Sequence, residues 1–386
     1  MKKWQKILVL SVSYVVVAAL AALLTVVMFL KRDGGFDKLQ QLHMLIEDRY
    51  VGTLDSEKLF DGAAAGMVAG TGDQWSYYIS KSTMAQYNQQ KDNQLVGVGI
   101  TISVREDGQG ADILKVIAGS PAEKAGIQAG DILYKVEDLL VGEVGVDAAS
   151  EAIGGKRGTQ VNITVLRNGE AIECTATRDT IRIPVAEGQM LDGNIGYVRI
   201  DNFNANCAAE TLAKVKELTE QGAQGLVFDV RNNGGGYVSE LVKVLDYLLP
   251  EGKLFISQYY DGERTVDYSD ADCLELPMVV LVNEYSYSAA EFFPAALREY
   301  EWAQVVGTPT VGKGYFQETY YLGDGSAVAL STGKYFTPKG VSLADQGGLV
   351  PDVVVEVDTE TFNAIYAQTL PLEEDPQLQA ALKLFE

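Results

Sequence analysis

The sequence predicts an α/β protein that carries a small β-rich module and a helical N-terminal segment. Short apolar strands alternate with amphipathic helices between residues 196 and 308. Residues 96–182 instead contain short strands separated by glycine-rich turns, with one short helix. Residues 36–70 show apolar positions mostly at three- and four-residue steps, which is typical of helices. Alternating strands and helices indicate an α/β layer, in which reactive groups gather at the carboxyl ends of the strands.

An uncharged apolar run, Ile7–Leu30, precedes these segments and has basic residues on both sides. Its 24 residues are long enough to span a bilayer as a helix. A cleaved signal peptide is the alternative, but such peptides have shorter apolar cores, and no small-x-small cleavage site follows the run. We therefore predict that residues 1–32 form a single transmembrane anchor that meets the membrane through residues 7–30. The charge balance favours a cytoplasmic N-terminus, so we expect a single-pass protein of the cell membrane with its bulk on the extracytoplasmic side.

The chain after Arg32 is strongly acidic, with 26 basic and 53 acidic residues. This balance argues against binding to nucleic acid and against docking on anionic lipid. Three cysteines, Cys174, Cys207 and Cys273, are widely spaced in apolar or strand-like contexts, which favours buried thiols. The sequence contains no metal-ligand cluster and no cofactor motif, so we expect neither a metal nor a cofactor.

The helical segment begins with an amphipathic stretch at residues 36–50, and a second runs from Leu59 to Val68. His43, the only histidine of the chain, lies in the first stretch, where a packed or solvent-facing side chain is a better interpretation than a catalytic one. Apolar residues return near the end of the chain, at Leu378, Leu382 and Phe385. The first amphipathic stretch and this C-terminal apolar stretch together suggest a homodimer.

The β-rich module opens with V-G-V-G-I (96–100), a strand whose glycines allow another backbone to come close. Ser120-Pro121, followed by Glu123, has the residues of a helix start, with serine at the N-cap and proline in the first turn. Two further strands flank Asn168-Gly169, a dipeptide typical of two-residue hairpin turns. These signals predict a compact module of short strands.

Two loops of the α/β segment carry the candidate chemistry, and each follows an apolar strand. N-N-G-G-G (232–236) follows the strand at 225–231, and S-Y-S-A-A-E (286–291) follows the strand at 278–283. A glycine loop before a helix can cradle a phosphate, but no G-K-[ST] follows this one. Further strands at 196–200 and 303–308, with helices at 208–221 and 238–249, complete the predicted layer.

Ser288 and Lys313, 25 residues apart, are the candidate nucleophile and base. A serine nucleophile needs a base to take its proton, and the Ser-Lys pairing is an accepted variant of the catalytic triad. Lysine acts as a base only when it is neutral, and burial lowers its pKa. No acidic residue occurs between Glu301 and Glu318, so no carboxylate close in sequence opposes that shift.

Seven motifs occur in a fixed order after the N-terminal run. They are D-G-A-A-A-G-M (61–67), G-S-P-A-E-K-A-G-I-Q-A-G-D (119–131), F-D-V-R-N-N-G-G-G (228–236), V-N-E-Y-S-Y-S-A-A-E (282–291), G-K-G-Y-F-Q (312–317), Y-F-T-P-K-G (335–340) and G-L-V-P-D-V-V-V (348–355). With these motifs the chain resembles the bacterial carboxyl-terminal processing proteases, also called tail-specific proteases. This is a family of Ser/Lys serine peptidases with a PDZ domain ahead of a crotonase-like α/β core.

The resemblance implies a division of the chain into five parts and a role for individual residues. After the transmembrane anchor that the apolar run predicts (1–32), the parts are an N-terminal helical segment (33–95), a PDZ domain (96–182), the serine peptidase core (183–358) and a C-terminal helical tail (359–386). The family nucleophile falls on Ser288, its general base on Lys313, and the glutamine that orients the lysine on Gln317. The oxyanion donors fall on the backbone N–H groups of Ala289 and of one residue in the Gly234–Gly236 run, within which we select Gly235. The carboxylate-binding loop of the PDZ domain and its adjoining strand fall on Val96, Gly97, Val98, Gly99 and Ile100.

Three positions depart from the family pattern. Ala290 stands where the family often has serine, and Gly154 where relatives often carry an arginine implicated in gating. Pro294 falls inside the helix predicted after Ser288, where proline costs about 3 kcal/mol or kinks the helix.

The resemblance implies a membrane-anchored serine endopeptidase that cleaves other proteins near their C-termini, with the PDZ domain selecting accessible tails. The alternative is a catalytically inactive PDZ scaffold that binds exposed C-termini. A crotonase-type acyl-CoA enzyme would share the fold, but it would leave the PDZ module and the Ser-Lys pair unexplained.

Overall fold

The computed structural model describes Tyr14, residues 16–20, residues 34–105 and residues 107–386. The chain divides into two units, Met1–Met67 and Val68–Glu386. The helical segment forms α1 (Gly34–Arg49) and α2 (Ser56–Ala69), as the apolar spacing predicts. The His43 ring lies 4.9 Å from the Phe60 ring, so it packs between the two helices.

The prediction of a single transmembrane helix is wrong for the part of the chain that the structure describes. No helix in that part is long and apolar enough to cross a membrane. The longest, α1, has only 16 residues and includes charged side chains, whereas a span needs about 20 apolar residues. Most of the predicted anchor, Ile7–Leu30, lies outside the described residues. The extracytoplasmic placement of the bulk of the protein stays a prediction.

A short connecting region leads from the helical segment into the second unit. It contains β1 (Tyr77–Ile79), α3 (Met84–Lys91) and β2 (Gln94–Gly97). The sequence showed only a polar stretch here, because the strand is three residues long and the helix has no buried face.

The β-rich module folds around its own apolar core, which includes Leu133, Val161 and Val165. Its elements are β3 (Ile100–Val104), β4 (Ala111–Val116), α4 (Pro121–Lys124), β5 (Ile132–Val136), β6 (Leu139–Leu140), α5 (Val141–Ile153), β7 (Gln160–Arg167) and β8 (Glu170–Thr177). The strand order is β3-β4-β5-β7-β8, with β6 beside β5, so β3 lies at an edge of this sheet. β9 (Asp179–Arg182) then pairs with β2 and closes the module.

The α/β core is a six-stranded sheet. Its region of the chain contains β10 (Ala186–Leu191), β11 (Ile195–Ile200), α6 (Cys207–Glu220), β12 (Gly225–Asp229), α7 (Val238–Leu248), β13 (Gly252–Tyr259), β14 (Arg264–Ser269), β15 (Met278–Val282), α8 (Ala289–Glu299) and β16 (Ala303–Gly307). The sheet order is β10-β11-β12-β15-β16, followed by a short last strand, and the pairs from β11 onward are parallel. One face is covered by α6, α7 and α8 through an aromatic and aliphatic core. Pro294 lies inside α8, which runs from Ala289 to Glu299 as one helix, so the proline does not end it.

A second sheet, which the sequence analysis did not predict, lies beside this core. It contains β17 (Tyr315–Tyr321) and β18 (Ala327–Phe336) in addition to strands already named. The rest of the chain forms α9 (Leu343–Gln346), β19 (Val353–Val354), which is the last strand of the core sheet, α10 (Thr359–Tyr366) and α11 (Pro376–Leu382). β18 pairs with β1, β13 and β17, and β14 pairs with β13. β17 begins two residues after Lys313, so this sheet helps to shape the loop that carries the lysine.

The C-terminal apolar stretch packs inside the same chain. Leu378 is fully buried and packs with Val227, Val279 and Leu281 on the face of the core sheet opposite α8. Because this surface is already covered, it no longer supports the predicted homodimer. The apolar residues of α1 remain exposed, at 63% for Phe36, and the homodimer stays a prediction.

Candidate active site

Ser288 is the N-cap residue of α8, at the end of the turn that follows β15. Its φ of 61° and ψ of −127° are unusual for a residue with a side chain, so the turn holds it in a strained conformation. The side chain is only 6% exposed. A strand, a tight turn and a helix therefore place this hydroxyl at the carboxyl edge of the parallel sheet, as the sequence predicts.

Glu291 joins the turn of Ser288 to the loop of Lys313. Its Oε2 accepts the backbone N–H groups of Ser288 and Lys313, each at 2.9 Å. Its Oε1 accepts the Gly312 N–H at 2.6 Å and the Thr310 hydroxyl at 2.5 Å. The residue is completely buried; burial raises its pKa, while these four donors oppose the shift. One carboxylate therefore fixes the backbone of both loops that carry the candidate chemistry.

The Lys313 ammonium lies against aromatic rings. Nζ is 4.6 Å from the centre of the Trp75 ring and 5.7 Å from that of Tyr287. Burial, with the positive charge of Lys91 acting in the same direction, lowers the pKa of Lys313 to about 8. A lysine with this pKa is partly neutral at mildly alkaline pH, which is what a general base requires.

Ser288 Oγ pairs with a residue that the sequence analysis did not single out. Its partner is the hydroxyl of Tyr335 on β18, at 2.8 Å. The described contacts of Lys313 Nζ are with the rings of Trp75 and Tyr287. Between the described residues Ser288 and Lys313 the structure therefore has no direct side-chain hydrogen bond. Catalytic hydrogen bonds are often formed only when substrate is bound.

The glycine loop lies directly against the nucleophile turn. A Cβ on Gly235 would come within 2.8 Å of Ser288 Cβ and 3.0 Å of Ala289 N, so only glycine fits there. The Gly235 N–H, however, already donates to Asn233 Oδ1 at 2.8 Å. Ala289 is the first residue of α8, where backbone N–H groups lack intrahelical acceptors. The geometry thus brings Ala289 and Gly235 together. The N–H group of Ala289 is the better candidate oxyanion donor, because that of Gly235 is already hydrogen-bonded.

Gln317 lies on β17, and its described contacts do not include Lys313. Its Nε2 donates to Ser331 Oγ at 2.9 Å and to the Tyr315 carbonyl at 3.2 Å. The predicted role in orienting the lysine therefore stays a prediction.

The predicted peptide-binding residues of the module lie where β2 meets β3. Gly97 ends β2, and Ile100 begins the edge strand β3. Val98 is buried, and its carbonyl accepts the Ala122 N–H at 2.8 Å. Gly99 has φ +87°, and a Cβ there would come within 2.5 Å of Ser120 Cβ. Val96, on β2, pairs with Thr180 on β9 and so belongs to a different sheet from Ile100.

A cavity of about 760 Å³ is lined by residues of β10, β11 and β12, and Ser288 is not part of its wall. Arg231 in its wall donates to Asp229 and Asp375 at 2.6 and 2.7 Å, and all three are buried. This network ties the strand before the glycine loop to the start of α11.

The sequence analysis missed Glu291, Trp75 and Tyr335 as members of the site. The spacing S-x-x-E from Ser288 to Glu291 is that of a capping box and is a signal for the first. Trp75 and Tyr335 reach the site only through the folding of distant segments, so no local pattern indicates them.

Comparison with known proteins agrees with the order of the segments. Residues 194–355 match the model for peptidase family S41, residues 96–177 match that for the PDZ domain, and residues 26–83 match that for the activating protease CtpB N-terminal domain.

Two curated relatives match most of this chain. The carboxy-terminal processing protease CtpA of Bacillus subtilis is 33% identical over 328 residues, which cover 84% of this chain and 70% of the relative. The carboxyl-terminal-processing protease of Synechocystis is 33% identical over 298 residues, which cover 75% and 68%. A solved structure assigned to the S41 proteases, from Bacteroides fragilis, has 22% identity and a TM-score of 0.52 over 76% of this chain and 84% of its own, and it shows the shared fold. The chain therefore belongs to the S41 serine peptidases, the family of the carboxyl-terminal processing proteases.

Proposed function

We propose that this protein is a serine endopeptidase that cleaves other proteins near their C-termini, with Ser288 as nucleophile and Lys313 as general base. The observation that carries the proposal is the buried carboxylate of Glu291, which holds the backbone of Ser288 and Lys313 through two hydrogen bonds of 2.9 Å. A glutamate in this position fixes the loop of Ser288 relative to the loop of Lys313, and a catalytic dyad needs its two residues held in such a defined geometry.

In this mechanism, neutral Lys313 takes the proton of Ser288 as Oγ attacks the scissile carbonyl carbon. The oxyanion accepts a hydrogen bond from the Ala289 N–H, with a second donor from the glycine loop, and each such donor contributes about 3–4 kcal/mol. The lysine then passes the proton to the leaving amine, and water hydrolyses the acyl-enzyme. For the first step, Lys313 Nζ has to come within hydrogen-bond distance of Ser288 Oγ, so it must move relative to the ring of Trp75.

The β-rich module supplies selection of tails in this proposal. In the described part of the chain β3 pairs with β4 alone, so its outer edge can accept an added peptide strand. The turn at Val98 and Gly99, just ahead of this edge, is where a terminal carboxylate would meet backbone N–H groups. We propose residues 96–182 as the recognition domain and residues 183–358 as the peptidase core.

Labelling with a fluorophosphonate probe tests the catalytic part of the proposal. The wild-type protein should be labelled at Ser288, found by peptide mass mapping, and Ser288→Ala should not be labelled. Lys313→Ala should be labelled much more slowly, because it has no base. If wild-type protein resists the probe and does not cleave casein, while it still binds peptides with free C-termini, the scaffold alternative is correct.

A further inference from the structure

The hydroxyl of Tyr335 is the side-chain partner of the Ser288 hydroxyl. The two oxygen atoms are 2.8 Å apart, and the Tyr335 side chain is 3% exposed. The residue begins the Y-F-T-P-K-G motif, to which the mechanism above gives no role. A buried phenol that meets a nucleophile at this distance needs an explanation of its own.

The phenol ring is held on several sides. Its centre lies 4.9 Å from that of Phe292, 5.3 Å from that of Phe255 and 5.7 Å from that of Phe316. The Tyr335 backbone N–H donates to the Gly314 carbonyl at 3.1 Å, beside Lys313. Packing from helix α8 and strands β13 and β17 thus fixes where the hydroxyl points, and it does so without using the hydroxyl itself.

The hydroxyl stays protonated over the working range of the enzyme. Burial raises the pKa of Tyr335 far above its ordinary value, and the nearby negative charge of Glu291 acts in the same direction. Tyr335 is therefore a neutral donor and not a base. Since Ser288 has to give its only proton to Lys313, the consistent arrangement is that Tyr335 donates and Ser288 Oγ accepts.

We propose that Tyr335 is a catalytic residue whose hydroxyl donates to Ser288 Oγ and assists its departure when the acyl-enzyme is hydrolysed. The inference rests on Ser288 being the nucleophile, as proposed above. A water molecule attacks the ester carbon and gives a proton to Lys313. The bond between that carbon and Oγ then breaks, and Oγ takes the proton from Lys313. Tyr335 keeps its own proton throughout.

The effect belongs mainly to this second half of the reaction. An ester oxygen is a weak acceptor, and it becomes a strong one as the breaking bond leaves negative charge on it, so the hydrogen bond strengthens toward the transition state. In the attack on the substrate, the serine oxygen begins as a good acceptor and loses that character, so the bond gives little help. Loss of the donor should slow deacylation by about 10- to 100-fold, the range expected for a hydrogen bond to a charged group.

The test separates the two half-reactions in Tyr335→Phe, which keeps the packed ring. With enzyme in excess over p-nitrophenyl acetate, release of p-nitrophenol reports acylation. After rapid desalting of acetylated protein, intact mass spectrometry follows the decay of the acetyl-enzyme. Tyr300→Phe is the matched control, because the Tyr300 hydroxyl donates to the Lys253 carbonyl at 2.8 Å near the other end of α8.

We expect Tyr335→Phe to acylate at a rate close to wild type and to deacylate about 10- to 100-fold more slowly, while Tyr300→Phe matches wild type in both steps. Equal deacylation in Tyr335→Phe and wild type overturns the inference and leaves Ser288 as nucleophile. An equal loss in both steps, with a native circular dichroism spectrum, also overturns it and assigns Tyr335 to positioning. Failure of wild-type protein to form an acetyl-enzyme at Ser288 contradicts the proposed function itself.

Discussion

Glu291 Oε2 accepts the backbone N–H of Lys313 at 2.9 Å, which joins the first turn of α8 to a loop 22 residues later in the chain. The same oxygen accepts the Ser288 N–H. Because every described partner of this carboxylate donates to it, the fully buried residue has to accept four hydrogen bonds. Even an isosteric substitution of Glu291 should therefore break at least one of these hydrogen bonds.

Replacement of Glu291 by glutamine should reduce both stability and turnover. The amide has the same shape, but one of its two oxygen positions becomes an NH₂ group that faces hydrogen-bond donors. We expect a loss of about 1–3 kcal/mol in the free energy of unfolding, the cost of buried unsatisfied groups, together with a fall in kcat. Urea unfolding followed by fluorescence and steady-state proteolysis of casein measure the two effects.

Glu299→Gln is the matched control for this experiment. Glu299 ends the same helix and accepts the Thr337 hydroxyl at 2.5 Å and the Lys339 N–H at 2.7 Å. Its replacement should lower stability without lowering kcat at a temperature where the variant is folded. A Glu291→Gln variant with unchanged kcat would show that the bridge does not align the site.

The rate of proteolysis should depend on pH through Lys313. The pKa of this lysine is lowered to about 8, first by burial and next by the charge of Lys91. Only the neutral form takes a proton, so kcat/KM should rise as pH increases through about 8 and should fall about tenfold per unit below it. Lys91→Met removes a like charge, so the midpoint of the profile should move to higher pH, and more so at low salt.

Lys216→Met is the control for the change at Lys91. Its ammonium lies 5.4 Å from the centre of the Tyr247 ring, much as the Lys91 ammonium lies 5.8 Å from that of Tyr87, and the charges that act on the pKa of Lys313 are those of Lys91, Asp73 and Glu291. This variant should keep the wild-type midpoint. A midpoint that stays fixed in Lys91→Met, or moves down, would contradict the electrostatic argument.

Substitutions of the base itself give the sharpest test of the dyad. Lys313→Arg keeps the charge but cannot lose its proton near neutral pH, and Lys313→Ala removes charge and base together. Both should lose nearly all casein cleavage, as should Ser288→Ala, while their thermal unfolding stays cooperative. His43→Ala should cleave at the wild-type rate. Retained turnover in Lys313→Arg would remove lysine as the base, and inactivity of His43→Ala would reopen the assignment.

Selection of tails can be tested at Gly99 without deleting the module. Alanine there meets Ser120 Cβ at 2.5 Å and has to adopt a φ of +87°, so Gly99→Ala should reshape the turn ahead of β3. We expect wild-type protein to prefer a peptide with a free apolar C-terminus over the same peptide with a C-terminal amide, and we expect Gly99→Ala to lose this preference. The ratio of the two kcat/KM values is the measurement.

Gly169→Ala is the control for backbone strain in the same module. Its φ is +85°, but a Cβ there meets no atom within 4 Å. Gly169→Ala should therefore keep the preference for the free carboxylate even if it is less stable. Loss of the preference in both variants would mean that general destabilisation, and not the turn at Gly99, produces the effect.

The parts of the site that the sequence predicts are those formed within one loop. Ser288 and Lys313 each follow a recognisable strand or motif, and the structure places both at the same edge of the core sheet. Gln317 shows the limit of such reasoning, because its amide bonds to Ser331 on the neighbouring strand β18. The pairing of β17 with β18 decides where its side chain points, and the sequence analysis had no strand there.

Long-range contacts account for the remaining omissions. Trp75 and Tyr335 reach Lys313 and Ser288 from segments far away in sequence, and β13 and β14 were not predicted because their alternation is irregular and contains a bulge near Lys253. Leu378 was read as a surface for a second copy, whereas it fills the back of the core sheet. Apolar spacing in a sequence indicates that one face of a helix is buried, but it does not indicate which surface covers that face.

The backbone at Ser288 has a consequence for how this protein tolerates change. Its φ of 61° is comfortable for glycine and strained for every residue with a Cβ, at a cost of about 1–3 kcal/mol. Of two variants that both lack the hydroxyl, glycine relaxes this strain and alanine keeps it, so the glycine variant should melt at the higher temperature. Selection of random mutants for thermal stability alone would therefore favour replacement of Ser288. Directed evolution of a more stable enzyme has to include an assay of proteolytic activity in every round.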